Sequence, residues 1–424
     1  MKLSLQPRRA LVDETLGVRV EGLRAGERAR VHAEFQDDSG RAWHSATEFR
    51  ADAQGAVDTR TAAAHAGSYR GVQPMGWLSS MRPEQPRRCG LFVKSGVAPT
   101  PVQFRVETST ASASRAGWID FIGPEVDRYL LKEQGLVAEL HLPRSRGPHP
   151  VVVVLPGWPT GGLPAQSAAL LASRGVAALA LGYFAAPGLP SRLAHISIDY
   201  FVRALDWIEQ QAELDAERIA VIGYSRGAEL ALILGSTFPR IRGTIAFLPS
   251  SVPIQAASWR PFSRPQAWVW DKRPIPFLPL ARPSLRTAAQ LGRALYGAPL
   301  RVRPFIEESL RNQSDMDELM IPVERCAGPV LLFSAGDDAI WPSPESCEQL
   351  MRRLETRGHR HARKHVHYPA AGHELWFSRG ALPSTRRFRK LGACVTLGGG
   401  AAADAEASRD SWQHVQAFLK ECFA

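Results

Sequence analysis

The sequence predicts two domains in one chain of 424 residues: an all-β sandwich over residues 1–125, then an α/β domain with a mostly parallel sheet over 126–424. Three observations predict it. The first part alternates apolar and polar positions in short runs separated by turn signals. From about residue 126, unbroken Val/Leu/Ile runs alternate with amphipathic stretches, the pattern of a sheet covered by helices on both faces. At 221 to 230, "VIGYSRGAEL" sets a serine between two glycines where a strand gives way to a helix.

In the first domain the runs "LGVRVEGL", "RARVHAEFQ", "GLFVKSG" and "PVQFRVET" are divided by turns such as Asp38-Ser39-Gly40 and Gln54-Gly55, at intervals that suit antiparallel sheets. The small, polar "TSTASASRAG" at 108 to 117 reads as a linker or a long sandwich loop. In the second domain strands are expected at 136–142, 150–157, 176–182, 218–223, 243–249, 329–335 and 364–369, with helices at 165–174 and 197–213. The Pro- and Trp-rich stretch 251–305 fits neither period and reads as an insertion over the sheet.

Composition excludes more than it assigns. With 45% hydrophobic and 22% charged residues, the chain is neither disordered nor of a membrane class. Its formal charge of +11 is mostly arginine and fits a solvated surface or attraction of a small anionic substrate. Nucleic acid ranks last, since there is neither zinc-finger spacing nor a basic-aromatic RNA-binding signature. "MKLSLQPRRALVDE" has no apolar core of a secretory signal, and no apolar run reaches the about 18 residues of a membrane span. A soluble, cytoplasmic protein is therefore expected. Cys89, Cys326, Cys347, Cys394 and Cys422 are scattered without a CxxC pair and read as reduced thiols. His359, His361, His365 and His367 lack carboxylates at ligand spacing and read as solvated, so no metal and no cofactor is assigned.

The serine carries the chemistry. A sharp strand-to-helix turn brings neighbouring backbone close and needs small residues two before and two after its centre, here Gly223 and Gly227 around Ser225. Such a turn lifts the hydroxyl above the carboxyl end of the sheet and leaves the Arg226 N–H free to stabilise an oxyanion. A serine hydroxyl needs a base, and the base an orienting carboxylate. In α/β-hydrolases these follow in the order serine, acid, histidine. "PVLLFSAGDDAIWP" offers Asp337 and Asp338, of which Asp338, heading the D-x-x-W-P segment, is favoured; Asp337 is expected to face outward or cap the next helix. "HYPAAGHELW" offers His373. A second oxyanion donor is expected from "PGWPTGG", with the Trp158 N–H preferred because Pro159 has none.

With these residues in place the chain resembles the acyl-CoA thioesterase / bile acid-CoA:amino acid N-acyltransferase family over nearly its whole length. The matching text includes "VRVEGLRAGERARVHAEFQDDSGRAWHSATEFRADAQGAVDT", "GSYRGVQPMGWLSSM", "LAHISIDYFVRALDWIEQQ", "IGYSRGAELALILGSTFP" and "HYPAAGHELW". The resemblance implies an N-terminal immunoglobulin-like sandwich on a C-terminal α/β-hydrolase domain, with catalytic Ser225, Asp338 and His373. It implies an acyl-CoA substrate whose thioester is hydrolysed, or whose acyl group passes to an amino acid. The conjugating branch uses cysteine as nucleophile, so serine favours hydrolysis; N-acyl transfer and carboxylester hydrolysis are the alternatives. The insertion is expected to help form the acyl pocket, while "GSYRGVQPMGW" is expected to pack rather than reach the site. The C-terminus "KECFA" carries no peroxisomal tripeptide.

Overall fold

The structure, a computed structural model, describes residues 1–84, 92–131, 135–157, 161–256, 263–384, 387–390 and 393–424. The N-terminal part forms two sheets. Lys2–Gln6, Gly17–Glu21 and Val57–Asp58 make one; the other runs Arg9–Leu11, Ser112–Asp120, Thr100–Glu107, Arg28–Gln36, Ala42–Arg50 and Ala66–Gly67, with Arg82–Pro83 also on Ala42–Arg50. Alternation sets the faces: Ala29, Val31, Ala33 and Phe35 are buried while their neighbours point outward, and Phe35 lies opposite Trp43 across the ladder.

"TSTASASRAG" is not a linker. Its second half belongs to the nine-residue strand Ser112–Asp120, paired along Thr100–Glu107. Small polar side chains hid it, because this strand is held by its backbone ladder and buries little of its first half.

The second part is built on an eight-stranded, mostly parallel sheet with helices on both faces. Its sheet comprises β1 (Val126–Leu131), β2 (Val137–Pro143), β3 (His149–Leu155), β4 (Ala177–Gly182), β5 (Leu214–Tyr224), β6 (Ile241–Phe247), β7 (Val330–Ala335) and β8 (Arg363–Tyr368). The spatial order is β1-β2-β4-β3-β5-β6-β7-β8; β2 runs antiparallel to β1 and β4, and the strands from β3 to β8 are parallel. Its longer helices are α1 (Ala165–Ser173), α2 (Asp199–Glu209), α3 (Arg226–Thr237), α4 (Leu285–Leu295), α5 (Arg303–Arg311), α6 (Ser343–Thr356) and α7 (Ala401–Cys422).

Period two sends successive side chains of each strand to opposite faces. Val151, Val153, Ile219 and Val221 pack with α2, α3 and α6, whereas Val152, Val154, Ala220 and Ile222 pack with α1 and α7. That second layer is continuous with the N-terminal core, so both domains share one apolar interior. Polar clamps fix the junction: Arg174 grips Asp13 at 2.7 Å, the Trp412 indole donates to Asp13 at 2.9 Å, and the Gly123 N–H donates to Ser173 at 2.7 Å.

The insertion between β6 and β7 is partly regular. It contains Trp268–Trp270 and Arg273–Pro274, then α4 and α5. Its proline spacing concealed α4, which begins at the Ser284 N-cap just after Pro283. The cysteine reading also needs correction: Cys394 is disulfide-bonded, while Cys326, Cys347 and Cys422 are free and Cys89 lies outside the described residues. Distance along a chain says nothing about proximity in the fold, so scattered spacing was no argument against a bond. No helix among the described residues is long and apolar enough to cross a membrane.

Candidate active site

The turn from β5 into α3 is built by close backbone approach. A Cβ on Gly223 would lie 2.0 Å from the Gly227 carbonyl oxygen, and one on Gly227 would lie 2.5 Å from those of Leu155 and Pro156. Between them Ser225 takes φ 55° and ψ −115°, a left-handed conformation that strains a side-chain-bearing residue. Ser225 is the N-cap of α3: its carbonyl accepts from the N–H groups of Ala228 and Glu229 at 2.9 and 3.1 Å, which leaves those of Arg226 and Gly227 without an intrahelical acceptor.

Residues from three loops meet at this serine. Ser225 Oγ is 2.9 Å from His373 Nε2, and His373 Nδ1 is 2.9 Å from both carboxylate oxygens of Asp338. All three residues are buried. Asp338 also accepts from donors besides the imidazole: the N–H groups of Ile340 (2.8 Å) and Trp341 (3.2 Å) and the Ser343 hydroxyl (3.1 Å). The Trp341 ring stands edge-on to His373, and its indole donates to the Leu248 carbonyl at 2.8 Å. The His373 loop is pinned through its own backbone, since His373 N donates to Leu397 O at 2.9 Å and the Tyr224 hydroxyl donates to His373 O. An ordered Ser–His–carboxylate line can take a proton from the hydroxyl and stabilise the resulting imidazolium.

Asp337 faces outward, as one of the two expectations had it, with its side chain about half exposed, and it does not cap α6. There it accepts from the Gly399 N–H at 2.8 Å and from Arg301 at 3.0 Å. Gly398 packs so close that a Cβ there would lie 1.7 Å from the Asp337 carbonyl oxygen. Asp337 thereby ties the glycine segment 398–400, which follows Leu397, to the loop of the acid. His359 is buried rather than solvated, and His365 and His367 both contact the Ser334 hydroxyl, at 2.7 and 2.9 Å.

Beside His373 lies a cavity of about 460 Å³. Its walls include Tyr224, Trp376, Ile340 and Leu397, the loop after β3 at Gly157 and Gly161, and residues 92 to 95 of the N-terminal domain. The described residues of the insertion do not line it, contrary to expectation; Val252, Ile254 and Leu278 pack around Trp341 instead, and Trp268 joins the core on the other face of the sheet. The segment "GSYRGVQPMGW" packs through Tyr69, Met75 and Trp77, which are buried, with the Trp77 indole bonded to Leu16 O, while Arg70 to Val72 are exposed. The N-terminal domain reaches the cavity through 92 to 95, which the Gln166 amide holds at Lys94 O. Sequence gave no signal for this, because the residues are ordinary and only the docking of the domains brings them there. The preferred second oxyanion donor, Trp158, lies outside the described residues.

A buried ion pair supports the turn from below. Arg226 donates to Glu229 at 2.9 Å and to Ile254 O at 2.8 Å, and its guanidinium lies over the Trp268 ring, whose indole also donates to Glu229. The residue after Ser225 is thus anchored to the first part of the insertion, at Ile254 and Trp268. Burial pushes the Glu229 carboxyl up from its ordinary 4.5 to about 7, against the opposing pull of Arg226 and the Trp268 indole. The folded protein therefore holds this proton more tightly than the unfolded chain. The group's contribution to stability is full below about 4.5 and is lost as pH rises through about 7. Unfolding midpoints measured across this window should converge on, or cross, those of Glu229→Gln in that direction; a difference between the two proteins that is flat with pH would contradict it.

Residues 13–133 match the family described as acyl-CoA thioester hydrolase/BAAT N-terminal region, and residues 196–424 match that described as BAAT / acyl-CoA thioester hydrolase C terminal. Acyl-coenzyme A thioesterase 2, mitochondrial, of Mus musculus is 29% identical over 98% of this chain and 88% of its own length. Acyl-coenzyme A amino acid N-acyltransferase 2 of Mus musculus is 26% identical over 99% and 97%. Among solved structures, a Mycobacterium tuberculosis puromycin-hydrolyzing peptidase aligns with 92% of this chain and 53% of its own, with 12% identity and a TM-score of 0.44.

Proposed function

Since the chain belongs to the acyl-CoA thioester hydrolase/BAAT family of enzymes, we propose that it hydrolyses the thioester of a fatty acyl-CoA to free acid and CoA, with Ser225 as nucleophile. The observation that carries this reading is the unbroken hydrogen-bonded line Asp338–His373–Ser225 beside a largely apolar cavity. His373 accepts the hydroxyl proton as Ser225 attacks the carbonyl, and Asp338 stabilises the imidazolium. The developing oxyanion is held by the Arg226 N–H and by an N–H of the loop at 157 to 158. The C–S bond breaks, CoA leaves as the thiol with the proton from His373, and an acyl-serine ester remains. Water then gives its proton to His373, attacks the ester and releases the acid, restoring Ser225.

Serine at the nucleophile supports hydrolysis over transfer, because an acyl-serine oxygen ester is less reactive towards amines than an acyl-cysteine thioester. We read the two-sheet N-terminal domain as an immunoglobulin-like sandwich that completes the acyl cavity through residues 92 to 95. The test is release of free CoA from acyl-CoAs running from acetyl to palmitoyl, with and without glycine or taurine, using Ser225→Ala as the blank. Serine-dependent release without an acceptor is expected. Release only with the amine would make the enzyme an N-acyltransferase, and turnover of aryl esters alone would make it a carboxylester hydrolase.

A further inference from the structure

Helix α4 sits in the insertion with its apolar side facing outward. Its inner seam is mostly polar: Thr287 donates to Glu308 at 2.8 Å, Gln290 accepts from the Arg301 N–H at 3.0 Å, and buried Ala294 completes the seam. At 3.6 residues per turn, Leu285, Ala289, Gly292 and Tyr296 form one stripe on the opposite side. Leu285 is 92% and Tyr296 94% exposed, so this stripe has no cover in the monomer. A surface helix that only stabilises a soluble fold turns its apolar side inward.

Charge selects the partner. Residues 264 to 296 carry Arg264, Lys272, Arg273, Arg282, Arg286 and Arg293, all exposed, against the single acid Asp271. Arg264, Lys272, Arg273, Arg286 and Arg293 make no ion pair with any described residue. Arg286 and Arg293 fall along one edge of the apolar stripe, about a quarter-turn from its centre. Apolar side chains flanked by arginines match the surface of an anionic bilayer, where the rings and aliphatic groups enter the headgroup boundary and the guanidinium groups meet phosphate. The helix is also coupled to the cavity. It packs on the strand Ala393–Thr396, which Leu300 bridges through Cys394 O at 2.7 Å, and the next residue, Leu397, lines the cavity wall.

We propose that α4 is a peripheral docking helix that seats the protein on anionic lipid. Such a helix lies in the interface and does not span the membrane. The test is sedimentation of the full chain with phosphatidylcholine vesicles, with and without phosphatidylglycerol, and needs no turnover to be read. Binding is expected only to the anionic vesicles and should weaken with added salt. Arg286→Glu/Arg293→Glu should lower the partition coefficient by tenfold or more, at roughly fivefold per charge removed, and Leu285→Ser/Tyr296→Ser should abolish sedimentation. Thermal unfolding of both variants should match wild type, showing that the fold survives. Absence of wild-type binding, equal binding to neutral vesicles, or unimpaired binding by both variants would overturn the proposal. Loss of a concentration-dependent dimer in the serine variant, without lipid binding, would assign the stripe to a second copy of the chain instead.

Discussion

Ser225→Ala should lower CoA release by about five to six orders of magnitude and leave the melting temperature close to wild type. The size follows from what the hydroxyl does: without it no acyl-enzyme forms, and His373 can at best activate water from an unsuitable position. The fold should tolerate the change because alanine occupies the same strained backbone conformation that serine already adopts. The residual rate comes from the oxyanion donors and the cavity. The measurement is single-turnover CoA release from an acyl-CoA on which wild type is active, with circular dichroism as the fold control. Release undiminished by the substitution would place the nucleophile elsewhere.

Asp338→Asn should lower kcat/KM by about four orders of magnitude, whereas Asp337→Asn should cost less than about tenfold. Asp338 is fully buried and accepts from His373, Ile340 N, Trp341 N and the Ser343 hydroxyl, four acceptor contacts that suit a carboxylate. An amide must turn its NH2 towards one of those donors, or present it to His373 and fix the wrong tautomer. Asp337 acts on the backbone of Gly399 and on Arg301, at 2.8 and 3.0 Å, so its loss loosens the loop without removing a charge from the imidazole. Steady-state kinetics on both variants decide between them, and a larger loss at Asp337 would transfer the role of the acid to it.

Both predictions start from motifs that the sequence displays, because each depends on local backbone. Gly223, Ser225 and Gly227 announce a strand-to-helix turn, since only small residues fit where α3 crosses the end of β3. The buried strands announce themselves because a parallel strand covered on both faces must be apolar throughout, as "VVVVL" is. The strand Ser112–Asp120 was hidden for the opposite reason: its ladder is backbone, and its exposed side chains obey no pattern that a window can detect. Helix α4 was hidden behind the proline spacing that precedes it, and the exposure of Leu285 and Tyr296 gave it no core-facing pattern.

The sequence by itself determined the order of the elements, the α/β-hydrolase sheet and the residue types able to form a Ser–His–Asp line. These are consequences of side-chain size, hydropathy and period, which act over a few residues. Only the tertiary structure decided which aspartate meets His373, that Asp337 braces a glycine segment about sixty residues away, and that residues 92 to 95, rather than the described residues of the insertion, wall the cavity. It also paired Arg226 with Glu229 under Trp268 and left Leu285 and Tyr296 uncovered. Such contacts join residues distant in the chain, and which of them form depends on how the layers pack, a property that no local window contains.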